Sequence, residues 1–278
     1  MPAAQKIFAT ILGCGSSGGV PRVGNVWGDC DPKEPRNRRR RCSLLIEGYS
    51  KVSPIPTRVL IDTGCDLREQ MLAAGADRID AVLYTHEHAD HTHGIDDLRV
   101  LALHMRRRVD VYFNKITGER LHEAFGYCFT TPRGSDYPAI LNGHEISAGD
   151  TTTIDGPGGA ISIQSFDQVH GSTRSLGYRV GGLAYSCDLS ALPHQSSSAV
   201  KDLDIWIVDA LRHTPHPSHL SLPETLALVE RIAPRQAILT NMHVDMDYAS
   251  LQKSLPSGVV PGFDGLRVDV NSGQVVAA

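Results

Sequence analysis

One six-residue stretch, His86-Glu87-His88-Ala89-Asp90-His91, restricts this chain more than any other. It follows Ala81-Val82-Leu83-Tyr84, an apolar run that reads as a short buried strand. Imidazole and carboxylate groups are costly to bury without partners, so four ligand-type residues directly after a core strand are hard to explain by packing. In an extended segment His86 and His88 point the same way, and a following turn brings Asp90 and His91 round to a second position. Such a set suits two borderline divalent ions such as Zn²⁺ or Mn²⁺. The core strand therefore has to end at a polar site, which is where open α/β sheets place theirs.

Histidine usage elsewhere agrees. Of thirteen histidines, four fall between 86 and 93 and three between 213 and 219, and clustered imidazoles suggest metal or proton chemistry. The 278 residues allow either two ordinary domains or one large α/β unit. With 41% hydrophobic residues, 21% charged and a net charge of -4, the chain reads as globular, with neither a nucleic-acid-like basic excess nor an acidic tail. Met1 to Thr10 carries one charge, Lys6, and no long apolar run. The expectation is no signal peptide, no membrane anchor and a cytoplasmic location. Six scattered cysteines read as free thiols.

Strands are expected at Ile7 to Leu12, Ser43 to Glu47, Arg58 to Ile61, Val109 to Phe113, Ile161 to Phe166, Ser175 to Val180, Leu183 to Ser186, Ile205 to Val208 and Ala237 to Leu239. Helices are expected from about Leu67 to Ala74, Ile95 to Met105 and Pro223 to Ile232, and Thr130 to Asp150 reads as a connection between halves. The loop Gly13-Cys14-Gly15-Ser16-Ser17-Gly18-Gly19 spells G-x-G-x-x-G, yet Pro21, Gly24 and the stretch to Pro32 continue as loop where a dinucleotide site needs a helix. Two readings of this loop stand: a tight turn, or backbone amides with Ser16 or Ser17 facing a substrate phosphate. Arg38 to Arg41, with Asp29, Asp31 and Glu34 nearby, reads as a solvated basic loop.

H-x-H-x-D-H after a strand, with Ile61-Asp62-Thr63-Gly64 upstream, resembles the metallo-β-lactamase superfamily. The glycine loop through Pro21 and the tail His93-Gly94-Ile95-Asp96-Asp97-Leu98-Arg99 are similar to the PhnP-type phosphodiesterases, cousins of the tRNA 3′-processing endonuclease. The resemblance runs from residue 7 to about 265. It implies a four-layer αββα sandwich of class α/β, one domain over 1–278 built from two αβ halves, about 1–150 and 151–278. It implies two divalent ions, Zn or Mn. His86, His88 and His170 would hold one, Asp90, His91 and His243 the other, and Asp188 would bridge them. Relatives often carry histidine directly after the threonine of Leu239-Thr240, where this chain has Asn241. Asp62 would support the ligands, and Asp209 with His219 would protonate the leaving group, with Asp90 also at the catalytic centre. His213 and His216 stay as exposed loop histidines. The C-x-C-x-x-C structural zinc cluster of PhnP is not matched, since only Cys30 and Cys42 are on offer.

The implied activity is hydrolysis of small cyclic phosphodiesters or nucleotides by a metal-bridging hydroxide. The alternatives are a thioester, lactone or β-lactam hydrolase on the same fold, or an RNA-processing endonuclease. The near-neutral charge and the lack of a long basic arm disfavour nucleic acid. The expected partner is a small phosphodiester or nucleotide, with a homodimer compatible and no membrane.

Overall fold

A computed structural model describes residues 1–276. The chain first lays down β1 (Lys6–Gly13), β2 (Ser43–Tyr49), β3 (Thr57–Ile61), β4 (Ala81–Leu83), β5 (Val109–Phe113) and β6 (Leu141–Glu145). A second set follows: β7 (Thr151–Ile154), β8 (Ile161–His170), β9 (Thr173–Val180), β10 (Leu183–Ser186), β11 (Ile205–Asp209), β12 (Gln236–Thr240) and β13 (Val259–Pro261). Two last strands, β14 (Arg267–Asp269) and β15 (Gln274–Val276), return to the first set. The sheets run β15-β14-β1-β2-β3-β4-β5-β6 and β13-β12-β11-β10-β9-β8-β7. The two halves are therefore not contiguous in sequence, because β14 pairs antiparallel with β1.

Period-2 alternation explains how the sheets stack. Leu44, Ile46, Val59, Ile61, Ala81 and Leu83 enter one core with residues of the second sheet such as Phe166, Tyr178 and Ile207. Their neighbours Leu45, Leu60 and Val82 enter another core under α1 (Leu67–Ala73), α3 (Leu98–Met105) and α4 (Lys115–Phe129), so both faces of the first sheet are covered. Between α1 and α3 lies the single turn α2 (Ala89–Thr92). On the second sheet, α5 (Leu222–Ile232) and α6 (Tyr248–Ser254) bury Leu222, Leu228 and Leu251. α5 starts at a reciprocal Ser221–Glu224 capping box. This is the four-layer αββα sandwich that the resemblance implies. Among the described residues no helix is long and apolar enough to cross a membrane.

Some expectations need revision. The 130–150 connection contributes β6, an edge strand with four of its five residues exposed, which hides its alternation. Ile95–Asp97 forms a 3-10 turn before α3. The basic run is not solvated throughout. Arg39 is buried and donates to Asn37 Oδ1 at 3.3 Å and the Met246 carbonyl at 2.7 Å, while Arg41 pairs with Asp66 at 2.9 Å. The glycine loop packs against this run: a Cβ on Gly13 would stand 2.0 Å from the Arg41 carbonyl, so glycine is required there.

Candidate metal centre

The site forms where strand ends from both sheets meet. Parallel β3 and β4 deliver Asp62 and the segment 85–91, and parallel β10, β11 and β12 deliver Asp188, Asp209 and Asn241. Asp62, Asp188 and Asn241 all adopt left-handed backbone, with φ of 64°, 49° and 60°. Asp and Asn tolerate that region better than most residues, and it turns each side chain out of the strand direction.

His86, His88, His170 and Asp188 place one ligand atom each within 4.8 Å of one another. His88 Nδ1 lies 2.9 Å from His86 Nε2 and 3.3 Å from His170 Nε2, and Asp188 Oδ2 lies 3.6 and 3.5 Å from the same two Nε2 atoms. Asp188 turns its other oxygen to His91 Nε2 at 3.2 Å, and Asp90 Oδ2 stands 3.4 Å from that nitrogen. One carboxylate thus faces both groups of donors. Three imidazoles and a carboxylate converging at such separations fit a borderline divalent cation.

Hydrogen bonds behind the ring fix which nitrogen faces inward. The Thr85 hydroxyl donates to Asp62 Oδ2 at 2.8 Å, so its oxygen accepts from His86 Nδ1 at 3.0 Å, leaving His86 Nε2 as a free donor atom. Asp62 also accepts from His91 Nδ1 at 2.8 Å and from the Thr85 amide at 2.8 Å. His170 Nδ1 donates to the Ser218 carbonyl at 2.7 Å. Such outer contacts set tautomer and raise ligand basicity. Burial, then His91, holds His86 well below its usual pKa, so it stays neutral. Burial would raise Asp188, but His91 and then His86 and His219 outweigh it and hold the carboxyl well below its ordinary value.

His219 Nδ1 stands 2.9 Å from Asp209 Oδ2, and its Nε2 lies 3.8 Å from Asp188 Oδ2. Burial opposes charging this imidazole, yet Asp209 and Asp188 prevail and lift it to about 9. Burial likewise pushes Asp209 up to about 6 against the pull of His219.

The cavity in front of these groups measures about 260 Å³. Ser16, Ser17, His88, Asp90, His170, Asp188, His219 and His243 line it, together with Arg22, Arg212, His216 and Asn241, which the sequence had not marked as site residues. His216 is therefore not a free loop histidine; its ring centroid is 5.1 Å from that of His219. Ser16 Oγ is buried with no hydrogen-bond partner. His243 does not reach Asp90 or His91: its Nε2 meets the Arg22 guanidinium and its Nδ1 lies 3.1 Å from Asp245 Oδ1. Asn241 Nδ2 occupies the nearer place, 3.2 Å from Asp188 Oδ1. Cys30 packs with Val20 and Val244, whereas Cys42 faces Gly15 and Thr240, so the two do not form a common site. The signal for Asn241 was its place after β12; nothing local in the sequence marked Arg22.

Residues 57–242 match the family model described as Beta-lactamase superfamily domain. A crystal structure of a new diphosphatase from the PhnP family is 33% identical, with a TM-score of 0.82 over 95% of this chain and 97% of that one. Human tRNase Z, short form, shares the fold at 14% identity and a TM-score of 0.63 over 95% of this chain. An octanoyltransferase of Porphyromonas gingivalis (strain ATCC BAA-308 / W83) is 29% identical over 94% of this chain, which spans only 51% of that relative's length.

Proposed function

Because this chain belongs to the β-lactamase superfamily and, through its end-to-end match, to the PhnP family within it, we propose that it is a metal-dependent phosphodiesterase acting on small cyclic phosphodiesters or nucleotides. The observation that carries this reading is the Asp209–His219 pair, set 2.9 Å apart beside the metal-ligand cluster. Acyl transfer to water from a thioester makes a good leaving group and gains little from a positioned acid, whereas a sugar alkoxide needs a proton as it departs.

His86, His88 and His170 would hold one ion and Asp90 and His91 the other, with Asp188 shared. Two divalent ions, Zn or Mn, would supply a water of lowered pKa and charge neutralisation on the phosphoryl oxygens. Asp90 faces the cavity and takes the proton of the attacking water. His219 Nδ1 is committed to Asp209, so its Nε2 proton is the one available to the departing oxygen. Water oxygen bonds to phosphorus, the ester P–O bond breaks, and the leaving alkoxide is released as an alcohol. Ser16, with its unpartnered hydroxyl, and Ser17 offer hydrogen bonds to the non-bridging oxygens. The cavity volume of about 260 Å³ lies just below the span usual for ligand sites, roughly 300–1,000 Å³, which favours a small diester over folded RNA.

A panel of cyclic nucleotides, bis(p-nitrophenyl) phosphate, acyl thioesters and a tRNA precursor, assayed with metal-loaded protein, tests the proposal. The expected order puts a small diester first. A higher kcat/KM on thioester or on tRNA precursor than on every small diester would overturn it.

A further inference from the structure

Strand β9 carries no metal ligand, yet both halves of the first ligand set are tied to it. β4 pairs with β5 only as far as Leu83, and beyond that point the chain turns carbonyls toward the opposite sheet. The Tyr178 hydroxyl donates to the Tyr84 carbonyl at 2.6 Å and the Leu176 amide to the Thr85 carbonyl at 2.8 Å. The Thr173 hydroxyl donates to Glu87 Oε1 at 3.3 Å. Bonds from one strand thus hold residues 84, 85 and 87, on either side of His86. Glu87, the member of the histidine segment with no place in the metal chemistry, takes its part here.

The same strand holds the two ligands of the second half. β8 pairs antiparallel with β9 and sets His170 opposite Thr173. The Ser175 hydroxyl donates to the Asp188 carbonyl at 2.8 Å and accepts from Gln168 Nε2 at 3.0 Å, which also reaches the Cys187 carbonyl at 3.1 Å. A Cβ on Gly177 would stand 2.6 Å from Gln168 Oε1, so the bare glycine lets that amide lie across the strand. Gln168, Ser175 and Tyr178 are all buried, and a buried group that loses its partner bears the full cost of desolvation. These ties therefore resist movement. They also fix a spacing. Donor atoms ~2.0–2.1 Å from a tetrahedral zinc ion stand about 3.3 Å apart. The separations in place scatter about that value: 2.9 and 3.3 Å from His88 Nδ1 to His86 and His170, and 3.6 and 3.5 Å from Asp188 Oδ2 to the same two rings. An ion with longer bonds has to push the histidine segment away from His170 and Asp188, against the hydrogen bonds to β9.

We propose that β9 gauges the metal position formed by His86, His88, His170 and Asp188, with Tyr178, Ser175 and Thr173 as positioning residues that make it select a zinc-sized ion over a larger one. The inference rests on the metal reading above and is independent of the substrate. None of the three residues touches a metal ion or substrate; each acts through the backbone or side chain it holds.

Metal-loaded protein challenged with a competing chelator tests it, once with Zn²⁺ and once with Cd²⁺, a larger ion that the same donors accept, while cadmium NMR distinguishes the two positions. Tyr178→Phe removes one hydroxyl and should lower zinc affinity at the first position by ~10–100-fold, the usual cost of losing an outer partner. Cadmium affinity should fall less, so the preference for zinc shrinks. Ser175→Ala should act in the same direction. Thr173→Val should narrow the preference to a smaller extent, and Thr173→Ser, which keeps the hydroxyl, should restore it. Val180→Ala, a core change at the other end of β9, should lower the urea midpoint and leave the ratio of the two affinities as in wild type. A purely structural role for β9 predicts equal losses for both ions, and that result, or unchanged affinities, in Tyr178→Phe and Ser175→Ala would overturn the gauge. Should Tyr178→Phe fail to fold, Ser175→Ala and the Thr173 pair decide. If the wild type takes up no metal, the metal reading itself fails; if it binds two ions and the variants lose both metals equally, only the gauge does.

Discussion

The two halves of the molecule build the same centre by different means. The first half delivers His86, His88, Asp90 and His91 from one six-residue segment, and a single buried carboxylate, Asp62, stands behind two of them. The second half delivers one group per strand end: His170 from β8, Asp188 from β10, Asp209 from β11 and Asn241 from β12. A local motif concentrates affinity in one place, so one supporting residue serves several ligands. Dispersed strand ends let each group take a separate task, and the proposed acid and bridging roles both fall to that side.

The sharpest break in this contrast is Asp188→Ala. Asp188 faces both donor groups, so its loss should remove metal from both positions, and elemental analysis should fall from close to two equivalents per chain, with activity falling furthest of any single change. Retention of a full complement would mean the halves do not share a ligand. His219→Ala comes next. It should lower kcat on a ribose cyclic phosphate by ~10²–10⁴, with a much smaller loss on bis(p-nitrophenyl) phosphate, whose leaving group hardly needs a proton, and with metal content intact. An equal loss on both substrates would assign His219 another role.

Asp62→Ala examines the first half. It frees both the Thr85–His86 relay and His91, so metal affinity should drop ~10–100-fold, the usual cost of removing an outer partner. A titration showing unchanged affinity would detach Asp62 from the ligands. The smallest effect lies at the seam between halves, where Asp247 accepts from Asn37 at 2.7 Å, from the Asp31 amide at 3.2 Å and from Ser250 at the start of α6. Burial opposes its ionisation, but these donors win and hold the carboxyl down at about 2. Its folded pKa is below its unfolded value, so its contribution is complete above about 4 and is lost as pH falls through about 2. Asp247→Ala should therefore cost about 1–2 kcal/mol at pH 7, the scale of a lost cap. Urea unfolding should show the gap to wild type closing as pH approaches 2.

Legibility followed the same division. The His86–His91 segment was readable because its spacing marks it after a short apolar strand, and Asp62 was readable through the resemblance carried by Ile61-Asp62-Thr63-Gly64. Asp188, Asp209 and His219 were readable through strand ends and a resemblance, and the structure brings them together. Arg22 was not, because it reaches the cavity from an irregular loop whose course depends on the buried Arg39, and no periodicity encodes that. His243 turns to Arg22 and Asp245 for a related reason: Asn241 itself adopts left-handed backbone, so the extended geometry expected to aim residues 241 and 243 alike does not hold. α4 escaped because Thr117, Gly118 and Gly126 interrupt its apolar pattern.

The return of β14 to β1 has a consequence for how the protein comes into being. During synthesis β1 emerges before both of its partners, yet one of its edges stays unpaired until residues beyond 266 have emerged, so the sheet that carries the histidine segment is completed only after every strand of the second sheet has been made. Such distant pairing slows folding and leaves a strand edge open to other chains in the interval. A newly made molecule is thus most exposed to misassociation at the strand farthest in sequence from its last partner.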